Sequence, residues 1–237
     1  SNVSVDTKEC FTSGLELKSG QSVDSEEIVY TEVKIDAIRT PDELFQFVEA
    51  VNNGRYSRFV NEEGEVVLGN DIDLSGLEWT IPISDWDGIF NGKGYAIKNW
   101  TSSESLFKVS HGTVKNLVLD ASCKLTYPNP NTLGAITYFG FVVGENYGTV
   151  DGCVNNADVT LSMAGESLAY QLRSGAIIGQ SQQGARISNC INNGNVTMNI
   201  GNVDNTATGA TCTQYWGTVQ GSQTSSSDAA GDESLRT

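Results

Sequence analysis

The chain has 237 residues, with 29 acidic against 14 basic side chains and a formal net charge of −15. That balance argues against nucleic acid or an anionic membrane surface as partner, because phosphate binding needs a basic face, and no apolar run is long enough to span a bilayer. Five cysteines with no Cys-x-x-Cys pair exclude the common zinc-site spacings, and the length suits one elongated domain.

Residues 1–30 are polar and do not repeat. Val3-Ser4-Val5 and Gly14-Leu15-Glu16-Leu17 read as edge strands or as a linker from an upstream region. Thr40-Pro41-Asp42-Glu43 is a capping box with proline at the first helical position. Leu44, Phe45, Phe47, Val48 and Val51 follow at helical spacing, and Asn52-Asn53-Gly54 ends the helix. Such a helix is expected to cover the open end of a β-structure, whose bare strand edges would otherwise invite polymerisation.

Next come Glu65-Val66-Val67-Leu68, Gly69-Asn70-Asp71-Ile72-Asp73-Leu74, Trp79-Thr80-Ile81-Pro82-Ile83 and Phe90-Asn91-Gly92-Lys93-Gly94-Tyr95-Ala96-Ile97. Beyond them the chain repeats itself. Cys153-Val154-Asn155-Asn156-Ala157-Asp158-Val159-Thr160-Leu161 returns as Cys190-Ile191-Asn192-Asn193-Gly194-Asn195-Val196-Thr197-Met198, 37 residues later. Gly140-Phe141-Val142-Val143-Gly144 returns as Gly175-Ala176-Ile177-Ile178-Gly179, and in degraded form as Gly217-Thr218-Val219-Gln220-Gly221. Gly112-Thr113-Val114-Lys115-Asn116-Leu117 matches Gly148-Thr149-Val150-Asp151-Gly152-Cys153 and Arg186-Ile187-Ser188-Asn189-Cys190; Ile97-Lys98-Asn99-Trp100 has the same shape.

A period of about 36 residues means stacked units that bury a core only as neighbours. The apolar runs in each unit are short and rich in Val, Ile and Thr, which favours strands, with Asn and Gly supplying the corners. The fold expected is all-β: a right-handed parallel β-helix of triangular, three-stranded coils with an N-terminal α-helical cap. A propeller would need four-stranded antiparallel blades, for which there is little signal. The boundaries expected are 1–35 for an extension, 36–221 for the capped β-helix and 222–237 for a polar tail. Val114, Val150 and Ile187 should form one inward column, and Leu117, Cys153 and Cys190 another. The Asn155-Asn156 and Asn192-Asn193 pairs are read as an amide ladder, and Cys153 and Cys190 as buried free thiols. A Cys153–Cys190 bridge, or one from Cys10, is the alternative.

Taken in order, the helix, the Asp71-Ile72-Asp73-Leu74 segment, the Trp79-to-Ile83 segment, the Gly92-Lys93-Gly94 turn and the glycine-bracketed triplets resemble bacterial surface proteins with GLUG-type repeats, over roughly residues 36–221. Asn91, where that family often has Asp, and the polar Gln220 depart from the pattern and put the final coil in question. The resemblance implies an exported, lipid-anchored precursor and an extracellular location on the bacterial surface.

Three constellations are candidates for chemistry. Asp71 and Asp73 share one strand face, where paired carboxylates suit a surface Ca²⁺ or acid–base glycoside cleavage, though the resemblance implies a recurring structural signature; otherwise no cofactor is expected. Asp85-Trp86-Asp87, read as a loop, offers an aromatic flanked by carboxylates, a sugar platform unless the tryptophan folds back over the first coil. The insertion Lys124 to Phe139 carries Tyr127, Pro128, Pro130 and Tyr138, with Tyr147, Tyr170 and Tyr215 expected near it. His111, the sole histidine, has no evident nucleophile partner. The ligand-binding candidates are therefore Asp85, Trp86, Asp87, Tyr127 and Tyr138. They suit a non-catalytic surface module that binds a glycan or a surface protein. A polysaccharide lyase or hydrolase, or a structural spacer, is the alternative.

Overall fold

The computed structural model describes residues 33–79, 81–127, 136–163, 171–200, 213–217 and 219–223. The proposed extension, apart from Val33 to Ile35, and the tail beyond Gln223 lie outside the described residues. Among the latter, no helix is long and apolar enough to cross a membrane.

Helix α1 (Pro41–Asn52) starts as the capping box requires: Glu43 N donates to Thr40 Oγ1 at 3.2 Å, and Thr40 N to Glu43 Oε2 at 3.1 Å. Leu44, Phe47, Val48 and Val51 are buried against the first coil. Phe47 stacks on Phe90 at 5.7 Å and meets Phe59 and Trp86 edge-on. Asn52 then imitates a strand edge. Its amide donates to Pro82 O and accepts from Ser84 N, each at 2.9 Å, which blunts the first strand of a sheet that would otherwise end open.

Beyond the helix, the described residues form a parallel β-helix of five coils. Around a coil, strands fall into five stacks, numbered here as sheets 1 to 5. Sheet 1 stacks Val66–Val67, Ile89–Asn91, Thr113–Lys115, Thr149–Asp151 and Arg186–Ser188. Sheet 2 stacks Ile72–Asp73, Ala96–Lys98, Val118–Leu119, Val154–Asn155 and Ile191–Asn192. Sheet 3 holds Thr101–Ser102, Lys124–Tyr127, Val159–Met163 and Val196–Ile200, and sheet 4 Ile136–Gly140, Gln171–Gly175 and Thr213–Gly217. Sheet 5 holds Ile83–Trp86, Phe107–Ser110, Val143–Asn146, Ile178–Ser181 and Gln220–Gln223. Every pairing between these strands is parallel.

The full coil is thus five-sided rather than triangular. Sheets 1 and 2 are separated by a left-handed residue (Asn116, Gly152 and Asn189, φ 51°, 63° and 54°), so one apparent strand is two. Sheet 4 appears from the third coil, its first strand, Ile136–Gly140, lying at the end of the 124–139 insertion. Phe90 pairs with Val114 one short coil of 24 residues on, whereas Val114 pairs with Val150 after 36.

The inward columns stand as the repeat implies. Val114 and Val150 are fully buried and pair in register with Ile187, which is partly buried at the end of the stack. Leu117 and Cys153 are buried, Cys190 partly so, and all three described cysteines are free thiols. The asparagines do form ladders: Asn155 Nδ2 donates to Asn192 Oδ1 at 2.7 Å, and Asn193 Nδ2 to Asn156 Oδ1 at 2.8 Å. Buried Asn155 also bonds Ala157 through both ends of its amide, so none of its polar atoms is left without a partner.

Three local expectations change. Ile97-Lys98-Asn99-Trp100 is not a copy of Val114-Lys115-Asn116-Leu117: Ile97 pairs with Leu119 on sheet 2, and Phe90 is the true partner of Val114. Both segments are a strand followed by a left-handed asparagine, which is why they look alike. In the Trp79-to-Ile83 segment the strand begins only at Ile83, and Ile81 is 61% exposed. The polar last triplet is in register after all, with Gln220 paired to Ile178 and Gly217 to Gly175.

Candidate functional site

Asp71 and Asp73 are structural. Asp71 accepts from Ala96 N and pairs with Lys98 at 2.7 Å; Asp73 caps Ser75 N and takes Asn99 Nδ2. These bonds hold both carboxyls below the usual aspartate range, led by Lys98 for Asp71 and by Asn99 for Asp73. Among the described residues, no group of three or more His, Cys, Asp or Glu side chains could hold a metal ion.

Trp86 is not a sugar platform. Asp85 and Trp86 lie within the strand Ile83–Trp86 rather than in a loop, and Trp86 is 0% exposed. Its ring lies against Phe47, Tyr56 and Phe107, and its Nε1 donates to Thr113 O at 3.1 Å. Ile83 and Trp86 are both buried although three residues apart, so strict alternation fails where this strand bends into the corner. Asp87 is committed to the cap: Tyr56 Oη donates to its Oδ1 at 2.7 Å, and burial, then this bond, push the Tyr56 phenol up to about 12. The side chain of Tyr127 lies outside the described residues.

Asp85 belongs to a different assembly. In sheet 5, Trp86, Ser110, Asn146 and Ser181 are register partners pointing inward. The next residues, Asp87, His111, Tyr147 and Gln182, must therefore stack on the outside of the corner. One backbone bond repeats to fix them: His111 N to Trp86 O, Tyr147 N to Ser110 O and Gln182 N to Asn146 O, at 2.7, 2.8 and 2.8 Å. Glycines follow in three coils, Gly88, Gly112 and Gly148, where a Cβ on Gly112 or Gly148 would meet the carbonyl below at 2.1 or 1.9 Å. The second column of this sheet is Asp85, Val109, Glu145 and Gln180, exposed at Asp85 and buried at Gln180.

The two columns interlock. His111 Nδ1 lies 2.9 Å from Asp85 Oδ1. A carboxylate only accepts, so Nδ1 carries the proton and a neutral ring is left with Nε2 as acceptor. His111 and Tyr147 stack at 4.6 Å with 17° between their planes. Tyr147 Oη donates to Glu145 Oε1 at 2.9 Å, and Gln182 Nε2 donates to the same oxygen. That bond to Glu145 leads in raising the Tyr147 phenol above its usual range. The seam is open to solvent: Tyr147 is 43% exposed, and the side chains of His111 and Asp85 50% and 64%. Beside it on sheet 4, half-buried Tyr138 carries the Arg173 guanidinium 5.7 Å from its ring centre, and Arg173 donates to Gln180.

Of the five residues named from sequence, the structure brings Asp85 and Tyr138 to this face, places Asp87 at the start of its outer column but bonded to Tyr56 of the cap, and buries Trp86. His111, Glu145, Tyr147 and Gln182 complete it. The signal that marks His111 and Tyr147 in the sequence is the glycine after each, a column repeating at the coil length.

No family model matches the sequence, and no curated protein is similar to it. Among solved structures, a Bacteroides ovatus protein named as a candidate immunoglobulin A1 protease superposes with a TM-score of 0.45 at 17% identity, over 80% of this chain. The chain spans 62% of that protein's length.

Proposed function

We propose that this chain is a non-catalytic extracellular module of a bacterial surface protein, of the GLUG-repeat kind its motif order resembles. In this reading it binds a glycan along the outside of sheet 5. The observation that supports the reading is the seam Asp85–His111–Tyr147–Glu145–Gln182. It carries solvent-open aromatic rings among carboxylate and amide groups, the combination that meets the apolar and hydroxyl faces of a sugar. The groups recur at the coil spacing of about 4.8 Å, so an extended chain of sugar units laid along the axis meets similar chemistry at each step. The acidic surface adds a reason for an uncharged ligand, since a net charge of −15 repels polyanions.

A glycan array probed with the wild type, Tyr147→Ala and Asp85→Asn tests this. The reading expects hits that weaken at least tenfold in both variants while far-UV circular dichroism stays unchanged. A blank array with folded wild-type protein would remove it and leave a spacer. The Asp85–His111 pair also has the form of an oriented general base, which keeps a polysaccharide-cleaving enzyme as the second reading. Release of reducing or unsaturated ends, abolished by His111→Gln, would establish that one instead.

A further inference from the structure

Cys153 and Cys190 occupy the same position in successive coils. The residues after them, Val154 and Ile191, are register partners, and Ile191 N donates to Cys153 O at 3.0 Å. Cys153 is fully buried, whereas Cys190, in the last described coil, is partly buried. Each thiol donates to a carbonyl of the preceding coil, Cys153 Sγ to Val114 O at 3.8 Å and Cys190 Sγ to Val150 O at 3.7 Å. The neighbouring Cys190 thiol, then burial, holds the Cys153 thiol well above the usual cysteine range, while the neighbouring Cys153 thiol draws Cys190 down. The more accessible sulfur is thus also the better nucleophile.

The backbone geometry suits a bridge. Parallel neighbours lie about 4.8 Å apart, inside the Cα separation of roughly 4.4–6.8 Å that disulfides span. The Cβ atoms need about 3.5–4.5 Å, so the fifth coil must close by a few tenths of an ångström. It is the last described coil and has a described neighbour on one side only.

We propose that Cys153 and Cys190 are a disulfide-forming pair that clamps the fifth coil to the fourth when a small-molecule disulfide is present. The Cys190 thiolate attacks one sulfur of oxidised glutathione and expels a glutathione thiolate. Cys153 then loses its proton and attacks the Cys190 sulfur of the mixed disulfide, expelling the second. Two protein thiols are oxidised, one glutathione disulfide is reduced, and the two protons end on the glutathione thiols.

The test uses the full chain, incubated with oxidised glutathione at mildly alkaline pH, alkylated, digested and mapped by mass spectrometry. The expected result is a peptide pair joined through Cys153 and Cys190, lost on reduction, with Tm raised by about 3 °C or more. Cys190→Ala should lack both the joined peptides and the Tm rise. Three outcomes would overturn the proposal: both thiols alkylated after oxidation, Cys190 arrested as a mixed disulfide beside a free Cys153, or either cysteine joined to Cys10, Cys123 or Cys212.

Discussion

Replacing Gly148 by alanine should separate two coils. The residue does not have a positive φ, so the cost is steric rather than conformational. An added Cβ would stand 1.9 Å from Gly112 O and 2.5 Å from His111 O, where ordinary contact begins near 3.4 Å. The corner must open by about 1.5 Å to relieve the contact, well beyond the give of a packed backbone. Opening stretches two bonds that join the coils, Thr149 N to Gly112 O at 2.9 Å and Gly148 N to Ser110 O at 3.2 Å. Bonds of this kind contribute about 1 kcal/mol each, and overpacking adds roughly 1–3 kcal/mol. A loss of about 3–5 kcal/mol is expected, which lowers Tm by about 6–20 °C in a domain of this size. Gly184→Ala is the control: its φ is +87° and nothing lies within 4 Å, so it should cost about 1 kcal/mol through backbone strain alone. Both are measured by urea unfolding followed by circular dichroism. A Gly148→Ala loss no larger than that of Gly184→Ala would refute the stacking argument, and with it the register that builds the seam.

Trp86→Ala should cost about 3–5 kcal/mol, because it empties a core site and removes the Nε1 bond to Thr113 O; unchanged stability in the same assay would contradict the burial. Asn155→Ala should cost about 2 kcal/mol by orphaning Asn192 Oδ1 and the backbone of Ala157, and Asn155→Asp should not restore it. Glu65 is held below the usual glutamate range by Lys115 at 2.6 Å and then by Asn91. Its contribution to stability is therefore complete above its unfolded value near 4.5 and is lost as pH falls through the lower folded one. Stability of Glu65→Gln, measured by denaturant titration from pH 6 to pH 3, should lack that part of the acid decline. A decline as steep as that of the wild type would show that Glu65 is not its source.

The repeat made the solenoid legible because coil stacking is a one-dimensional relation. Val114, Val150 and Ile187, or Asn155 and Asn192, become neighbours simply by recurring at the coil length, and identical side chains in a column pack and hydrogen-bond alike. The capping helix was equally legible, since Thr40, Pro41 and Glu43 act within one turn. What sequence spacing could not supply was the number of sides and the direction of particular side chains. A left-handed Asn or Gly splits one apparent strand into two, and the early coils of 24 residues hid the kinship of Phe90 with Val114. Trp86 turned inward because its strand bends where alternation would have pointed it outward. The seam was decided by the tertiary structure alone. His111 meets Asp85 across 26 residues and Tyr147 across 36, distances set by two coils of different length that sheet 5 brings into register. The sequence repeat thus determined which residues lie inside, while the closing of each coil decided which surface groups meet.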